Sequence, residues 1–216
     1  LGDVYKRQDE SYSANWFAYF RSLKQRNKLL KDRQLSSLEP WSEKLAGLGE
    51  DLTKKRKIFF NQTKEEFKNI IDKLNLKSKK VFINNLSVHY DQGWDDTADL
   101  LTTLNLERDT DIRRKVTTKG PHKADIKIFI KDVDAKEILS RGEQKLLAII
   151  WLCSQHEVLR SIYSIKPTLL IDDVKSELDI DTFNIYISLL KLIQNQVIFS
   201  NIEDQINSKI EAELIN

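Results

Sequence analysis

The segment Thr168-Leu169-Leu170-Ile171-Asp172-Asp173 constrains the fold more than any other part of the chain. An apolar run this short reads as a buried strand, and it ends in two carboxylates. Upstream, Ser140-Arg141-Gly142-Glu143 opens a helical pattern over 140–160. Downstream, a helix over 181–194, a strand over 196–200 and a helix over 203–214 follow in alternation. That order predicts an α/β layer with a parallel sheet, whose ligands gather beyond the carboxyl ends of the strands.

Both segments carry chemistry. A helix N-terminus presents unpaired N–H groups and a partial positive charge, which attract phosphate. Gly142 removes the Cβ that would hold a phosphate off the backbone, and Ser140 adds a hydroxyl. The alternative for Ser140 and Glu143 is an ordinary capping box. At the strand end, Asp172 would hold Mg²⁺ through water, because hard cations take oxygen ligands. Asp173 would orient or deprotonate an attacking water. For an isolated Asp-Asp the alternative is a surface pair capping the next turn. Ser176-Glu177-Leu178-Asp179 directly after it favours the functional reading. The complementary half of a nucleotide site is missing: none of the six glycines (2, 47, 49, 93, 120, 142) is followed by lysine, so no Gly-x-x-x-x-Gly-Lys-Ser/Thr loop occurs in these residues.

Residues 11–32 place Trp16, Phe17, Phe20, Leu23, Asn27 and Leu30 at helical spacing, with Arg and Lys between them. After a break at Leu35–Pro40, a second helix is expected from Trp41 to Leu74, with Leu45, Leu48, Leu52, Ile58, Phe59, Phe67, Ile70 and Ile71 as its stripe. Gly47 and Gly49 weaken it locally. Two long helices with a short link predict an antiparallel hairpin, an arm of about 40 Å. The period then changes to two at Leu86, Val88, Tyr90 and at Ile126, Ile128, Ile130, which read as strands. Between them a helix capped by Asp95 or Asp96 runs to about Lys115. The expected organisation is 1–10 as a scar or loop, 11–80 as helical arm, 81–136 as connection and 137–216 as head.

Composition narrows the class. The 216 residues are 40% hydrophobic and 31% charged, with 35 basic and 33 acidic side chains, so any nucleic-acid contact must come from local patches. The single cysteine, Cys153, excludes an internal disulfide and suits a reducing, cytoplasmic setting. No apolar run reaches the roughly 18 residues of a membrane span. The absence of methionine, even at position 1, reads as a fragment of a longer protein.

Leu139-Ser140-Arg141-Gly142-Glu143-Gln144-Lys145 resembles the signature motif of ABC-type ATPases, Leu169–Asp173 their Walker B strand, and Ser176-Glu177-Leu178-Asp179 their D-loop. Further segments narrow the resemblance to the RecF family of DNA repair proteins: Leu23-Lys24-Gln25-Arg26-Asn27, Tyr90-Asp91-Gln92-Gly93-Trp94-Asp95, Asn105-Leu106-Glu107-Arg108-Asp109 and Thr118-Lys119-Gly120-Pro121-His122-Lys123-Ala124-Asp125. They stand in the family's order over about Ser11 to Glu203.

The resemblance implies the later half of an ABC-type head with a helical hairpin arm, cofactors ATP and Mg²⁺, and an ATP-dependent homodimer. It also implies binding to double-stranded DNA and gap junctions, and partners of the RecO and RecR type. Ser140, Arg141, Gly142 and Glu143 would contact the ATP of the other subunit. Asp172 would serve the metal and Asp173 the water, while Ser176 and Asp179 would couple the two sites. Without a P-loop this chain alone is expected not to turn over ATP. The competing expectation is a non-hydrolysing helical module, binding DNA or protein, on a degenerate head. Two positions depart from the pattern: Glu143 where RecF more often has Gln, and Asn201 where many relatives have a histidine.

Other candidates are weaker. His122 is expected in a turn, within reach of DNA or nucleotide; His89 lies on a strand and His156 on the signature helix. Cys153 reads as core. Arg21, Lys24, Arg26, Lys28, Lys31, Arg33, Lys54, Lys55, Arg56 and Lys57 could meet phosphates or form a solvated face.

Overall fold

The helical and period-two patterns of the sequence become helices and strands in the computed structural model, which describes residues 10–172, 179–193 and 196–200. Helix α1 spans Glu10–Lys31 and α2 spans Leu38–Lys73. A 3₁₀ turn at Leu35–Ser37 joins them, and Pro40 sits in the first turn of α2, where its missing N–H costs nothing. α1 stops because Arg33 adopts the left-handed conformation (φ 57°) and the Gln34 N–H returns to the Leu29 carbonyl at 3.0 Å. The two helices run antiparallel, since contacts pair Arg26 with Ser42, Asn15 with Leu48 and Tyr12 with Arg56.

The chain divides into two units, and neither is continuous in sequence. One comprises Leu1–Phe60 and His89–Lys127, the other Asn61–Val88 and Ile128–Asn216. In the first, Leu29 and Leu30 of α1 cluster with Leu38 of α2, and Tyr12, Tyr19 and Leu23 of α1 and Leu45 and Leu52 of α2 are also buried. Gly49 is needed there: a Cβ would lie 2.6 Å from Leu100 Cδ2 and 3.1 Å from the Tyr19 ring. The connecting helix is two short ones, Leu100–Leu106 and Arg108–Arg114, numbered α4 and α5 after the single turn α3 at Leu76–Lys79. Its cap is Asp99, which accepts from Thr102 N at 2.7 Å, and not Asp95 or Asp96. Asp95 instead closes its own turn on Thr97, through the N–H at 2.9 Å and the hydroxyl at 2.7 Å. Gly93, with φ 93°, lets the chain pass close to residue 120; a Cβ there would meet the Gly120 carbonyl oxygen at 2.3 Å.

Strands β1 (Leu86–Asp91), β2 (Asp125–Ile130) and β3 (Val133–Asp134) form one sheet in that order. β2 and β3 are antiparallel, and Lys131 and Asp132 make the two-residue turn with both φ positive (50° and 67°). A second sheet pairs β4 (Leu169–Asp172) with β5 (Val197–Ser200) in parallel, Leu169 opposite Val197 and Asp172 opposite Ser200. So the α/β class and the helical hairpin are present, and β4 and β5 supply a parallel pair. After the single turn α6 (Ala135–Ile138) come α7 (Arg141–Tyr163) and α8 (Ile180–Leu192). Leu146, Leu147, Ile150, Cys153 and Leu159 of α7 and Tyr186, Leu189 and Leu190 of α8 are buried. The helix expected over 203–214 lies outside the described residues.

Candidate functional site

The β4–α8–β5 unit and the start of α7 hold most of the residues singled out from the sequence. Ser140 is the N-cap of α7. Its Oγ accepts the Glu143 N–H at 3.3 Å, while the Glu143 carboxylate accepts from the Ser140 N–H at 3.0 Å and its hydroxyl at 2.8 Å. The capping box is therefore formed. It ties Glu143 to Ser140 and leaves the N–H groups of Arg141 and Gly142 without an intrahelical partner. Both Ser140 and Arg141 are exposed, and Gly142 is half-buried. Gln144 anchors the preceding turn by donating to the Leu139 carbonyl at 2.9 Å and the Lys136 carbonyl at 3.2 Å. An open helix N-terminus with an arginine and a glycine suits a phosphate group, while the Ser140 hydroxyl proton is engaged by Glu143.

Asp172 ends β4 at its carboxyl end, where α/β sheets place ligands. Asp173 and Ser176 lie outside the described residues, as does Asn201. Asp179 caps α8, accepting the Thr182 N–H at 2.7 Å, and that bond holds its carboxyl below the usual range. Among the described residues no group of three or more His, Cys, Asp or Glu is placed to hold a metal ion.

His122 is not a free turn residue. Its Nδ1 lies 2.7 Å from the Tyr19 hydroxyl and its Nε2 3.0 Å from the Thr117 carbonyl. A carbonyl only accepts, so Nε2 carries the proton and Nδ1 accepts from Tyr19. Burial lowers the pKa of this imidazole. Cys153 is fully buried, and burial pushes its thiol up to about 12, which makes it a core residue and a poor nucleophile.

Two of the arginines offered as phosphate contacts are core instead. Arg26 is 0% exposed; its Nη1 donates to Asp111 Oδ2 and to Thr117 Oγ1, each at 2.7 Å, and its Nε to Ser42 Oγ at 2.9 Å. Asp111, equally buried, also accepts from the Thr118 N–H (2.8 Å) and hydroxyl (2.7 Å). Asn27 accepts from the Thr117 N–H and hydroxyl at 2.8 Å. Arg56 donates from Nη1 to the Pro121 carbonyl at 2.7 Å. The sequence signal for this network was the arginine at a buried helical position: Arg26 stands three residues after Leu23 and four before Leu30.

No helix of the described residues is long and apolar enough to cross a membrane. No family model matches the chain. Curated relatives do. The DNA replication and repair protein RecF of Pseudoalteromonas translucida is 30% identical over 200 residues, which is 91% of this chain and 54% of the relative. That of Lachnospira eligens is 33% identical over 214 residues, 96% of this chain and 57% of the relative. Among solved structures, the recombination mediator protein RecF with ATP, from the RecFOR pathway, superposes with a TM-score of 0.72 at 26% identity, covering 94% of this chain and 56% of that one. By sequence and by fold, the chain is a homologue of the RecF proteins and spans about half the length of the curated relatives it matches.

Proposed function

We propose that the chain acts as part of a RecF-type DNA repair and replication ATPase. In this reading it binds DNA at duplexes and gap junctions, dimerises when ATP is present, and works with RecO and RecR in recombinational gap repair. The observation that carries the proposal is the superposition of 94% of the chain on RecF with ATP, together with a capped, open helix N-terminus at Ser140–Glu143. Bound ATP and its Mg²⁺ supply the transferable γ-phosphoryl group and the charge that screens it.

This chain's own residues would do the rest. The Arg141 and Gly142 N–H groups would hold phosphate oxygens of a nucleotide seated on the other subunit, and the Ser140 hydroxyl would join them by turning its proton away from Glu143. Glu143 fixes the Ser140 rotamer through the capping box. Asp172 would hold the metal through water, and Asp173 would take the proton of the attacking water. Ser176 and Asp179 relay the state of one site to the other. Because no P-loop lies within these residues, the nucleotide must be brought by another polypeptide segment.

The test is a mixing experiment. Sedimentation of this protein with full-length RecF of Pseudoalteromonas translucida should show a mixed species that requires ATP, and Arg141→Ala should weaken it. A mixed species that forms equally with and without ATP, or one unaffected by Arg141→Ala, would remove the role of the signature turn.

A further inference from the structure

Helix α1 has a second face that the core does not use. Phe17, Arg21, Lys24, Lys28 and Lys31 recur at intervals of four, three, four and three, which places them on one side of the helix. Tyr12, Tyr19, Leu23, Arg26 and Leu30, all buried, occupy the other. All four cations on the outer side are exposed, and Phe17 is 53% exposed. Among the described residues none of these four side chains makes an ion pair or hydrogen bond. Some exposed lysines elsewhere are matched: Lys57 pairs with Asp96, Lys68 with Glu65, Lys73 with Glu66 and Lys77 with Asp72. After Glu10, α1 contains no acidic residue. Like charges at three and four residues' spacing oppose helix formation. The helix dipole accounts for Lys28 and Lys31 in the last turn but not for Arg21 and Lys24.

We propose that this ridge is a contact surface for the phosphate backbone of DNA. It deepens the DNA-repair reading above by assigning that reading a surface. From Arg21 to Lys31 the helix rises about 15 Å, close to the axial span of about five consecutive phosphates on one strand, about four steps of roughly 3.4 Å each. A membrane surface fits less well, because an interfacial helix lies down on an apolar face. That face of α1 is spent on the core, leaving Phe17 alone to insert. A protein partner would call for desolvated anchors set in pockets rather than flexible lysines on a convex helix.

The experiment measures binding of a labelled DNA duplex to the 216-residue protein between about 50 and 200 mM salt. The comparison is with the Arg21→Gln/Lys24→Gln/Lys28→Gln/Lys31→Gln variant. Four lost phosphate contacts should make the slope of log affinity against log salt shallower by about 3–4 and weaken binding at least about tenfold. A control, Lys68→Gln/Lys73→Gln/Lys77→Gln, removes cations already in ion pairs and should leave the slope unchanged. An unchanged slope in the ridge variant overturns the proposal while leaving a DNA role intact, as does an equal loss in the control. If the parent binds phosphatidylserine vesicles and no DNA, both the ridge and the DNA reading fall.

Discussion

Asp111 is the position where a single-atom-scale change should cost the first unit most. Its carboxylate is fully buried and accepts three hydrogen bonds, one from the Arg26 guanidinium and two from Thr118. Asp111→Asn keeps one acceptor oxygen for Thr118 but turns an amide donor toward Arg26 Nη1, leaving a buried cation with no counter-charge. Breaking a buried pair from one side costs about 3–5 kcal/mol. Thr118→Val removes only the hydroxyl bond, since the N–H contact survives, and should cost about 1–1.5 kcal/mol. With a urea slope of about 2 kcal/mol/M, Asp111→Asn moves the midpoint by roughly 1.5–2.5 M. Trp16, Trp41 and Trp94 belong to the first unit and Trp151 to the second, so fluorescence in a Trp151→Phe background reports the first alone. Arg26→Met combined with Asp111→Leu should regain most of the loss, because a well-packed apolar pair replaces a buried ionic one at little cost. If Asp111→Asn cost no more than Thr118→Val, the ion pair would be carrying no part of the unit's stability, and the reasoning fails.

Other perturbations separate further effects. Gly49→Ala should destabilise by about 1–3 kcal/mol through overpacking against Leu100, Tyr19 and Pro121, whereas Gly47→Ala, with nothing within 4 Å, should stabilise by about 0.5–1 kcal/mol; urea midpoints read both, and equal signs would refute the packing argument. His122 and His156 have pKa values lowered by burial, so the unfolded chain binds more protons. Their contribution is fully present above about pH 6.5 and is lost as pH falls toward the folded pKa values; urea midpoints should drop on acidification through that window, less so in His122→Gln, and a rise would contradict the sign. Arg33→Gly relieves a left-handed backbone at the end of α1 and should raise stability by about 0.5–1 kcal/mol, measured as a higher thermal midpoint.

Periodicity made the long helices and the strands β1 and β2 legible, because apolar spacing reports a buried face directly; β4 and β5 were legible as short apolar runs alternating with helices. It misassigned part of the α1 stripe. Phe17 was expected inside and is 53% exposed, while Tyr12, Tyr19 and Arg26 are fully buried. A charged residue in a core is invisible to apolar spacing, and its partner Asp111 lies 85 residues away. The cap of α4 turned on one residue of spacing: Asp95-x-Thr97 closes a turn, whereas Asp99-x-x-Thr102 reaches the donor that opens a helix. At the signature turn, Ser-x-x-Glu announced both the helix start and the capping box that forms there.

The separation between Arg26 and Asp111 also sets a clock on biosynthesis. At about 5–20 residues per second, a ribosome makes Asp111 roughly 4–17 s after Arg26. Helix–helix collapse is complete in far less than a millisecond. For seconds, then, the nascent α1–α2 hairpin has an arginine on its inner face and no carboxylate to receive it. A dry hairpin would strand that charge, so the two helices must wait hydrated, or held apart by another molecule, until residues 111–118 arrive. A ribosome paused before Asp111 should therefore carry a hairpin that proteases cut readily, and one paused well beyond Lys127 should not.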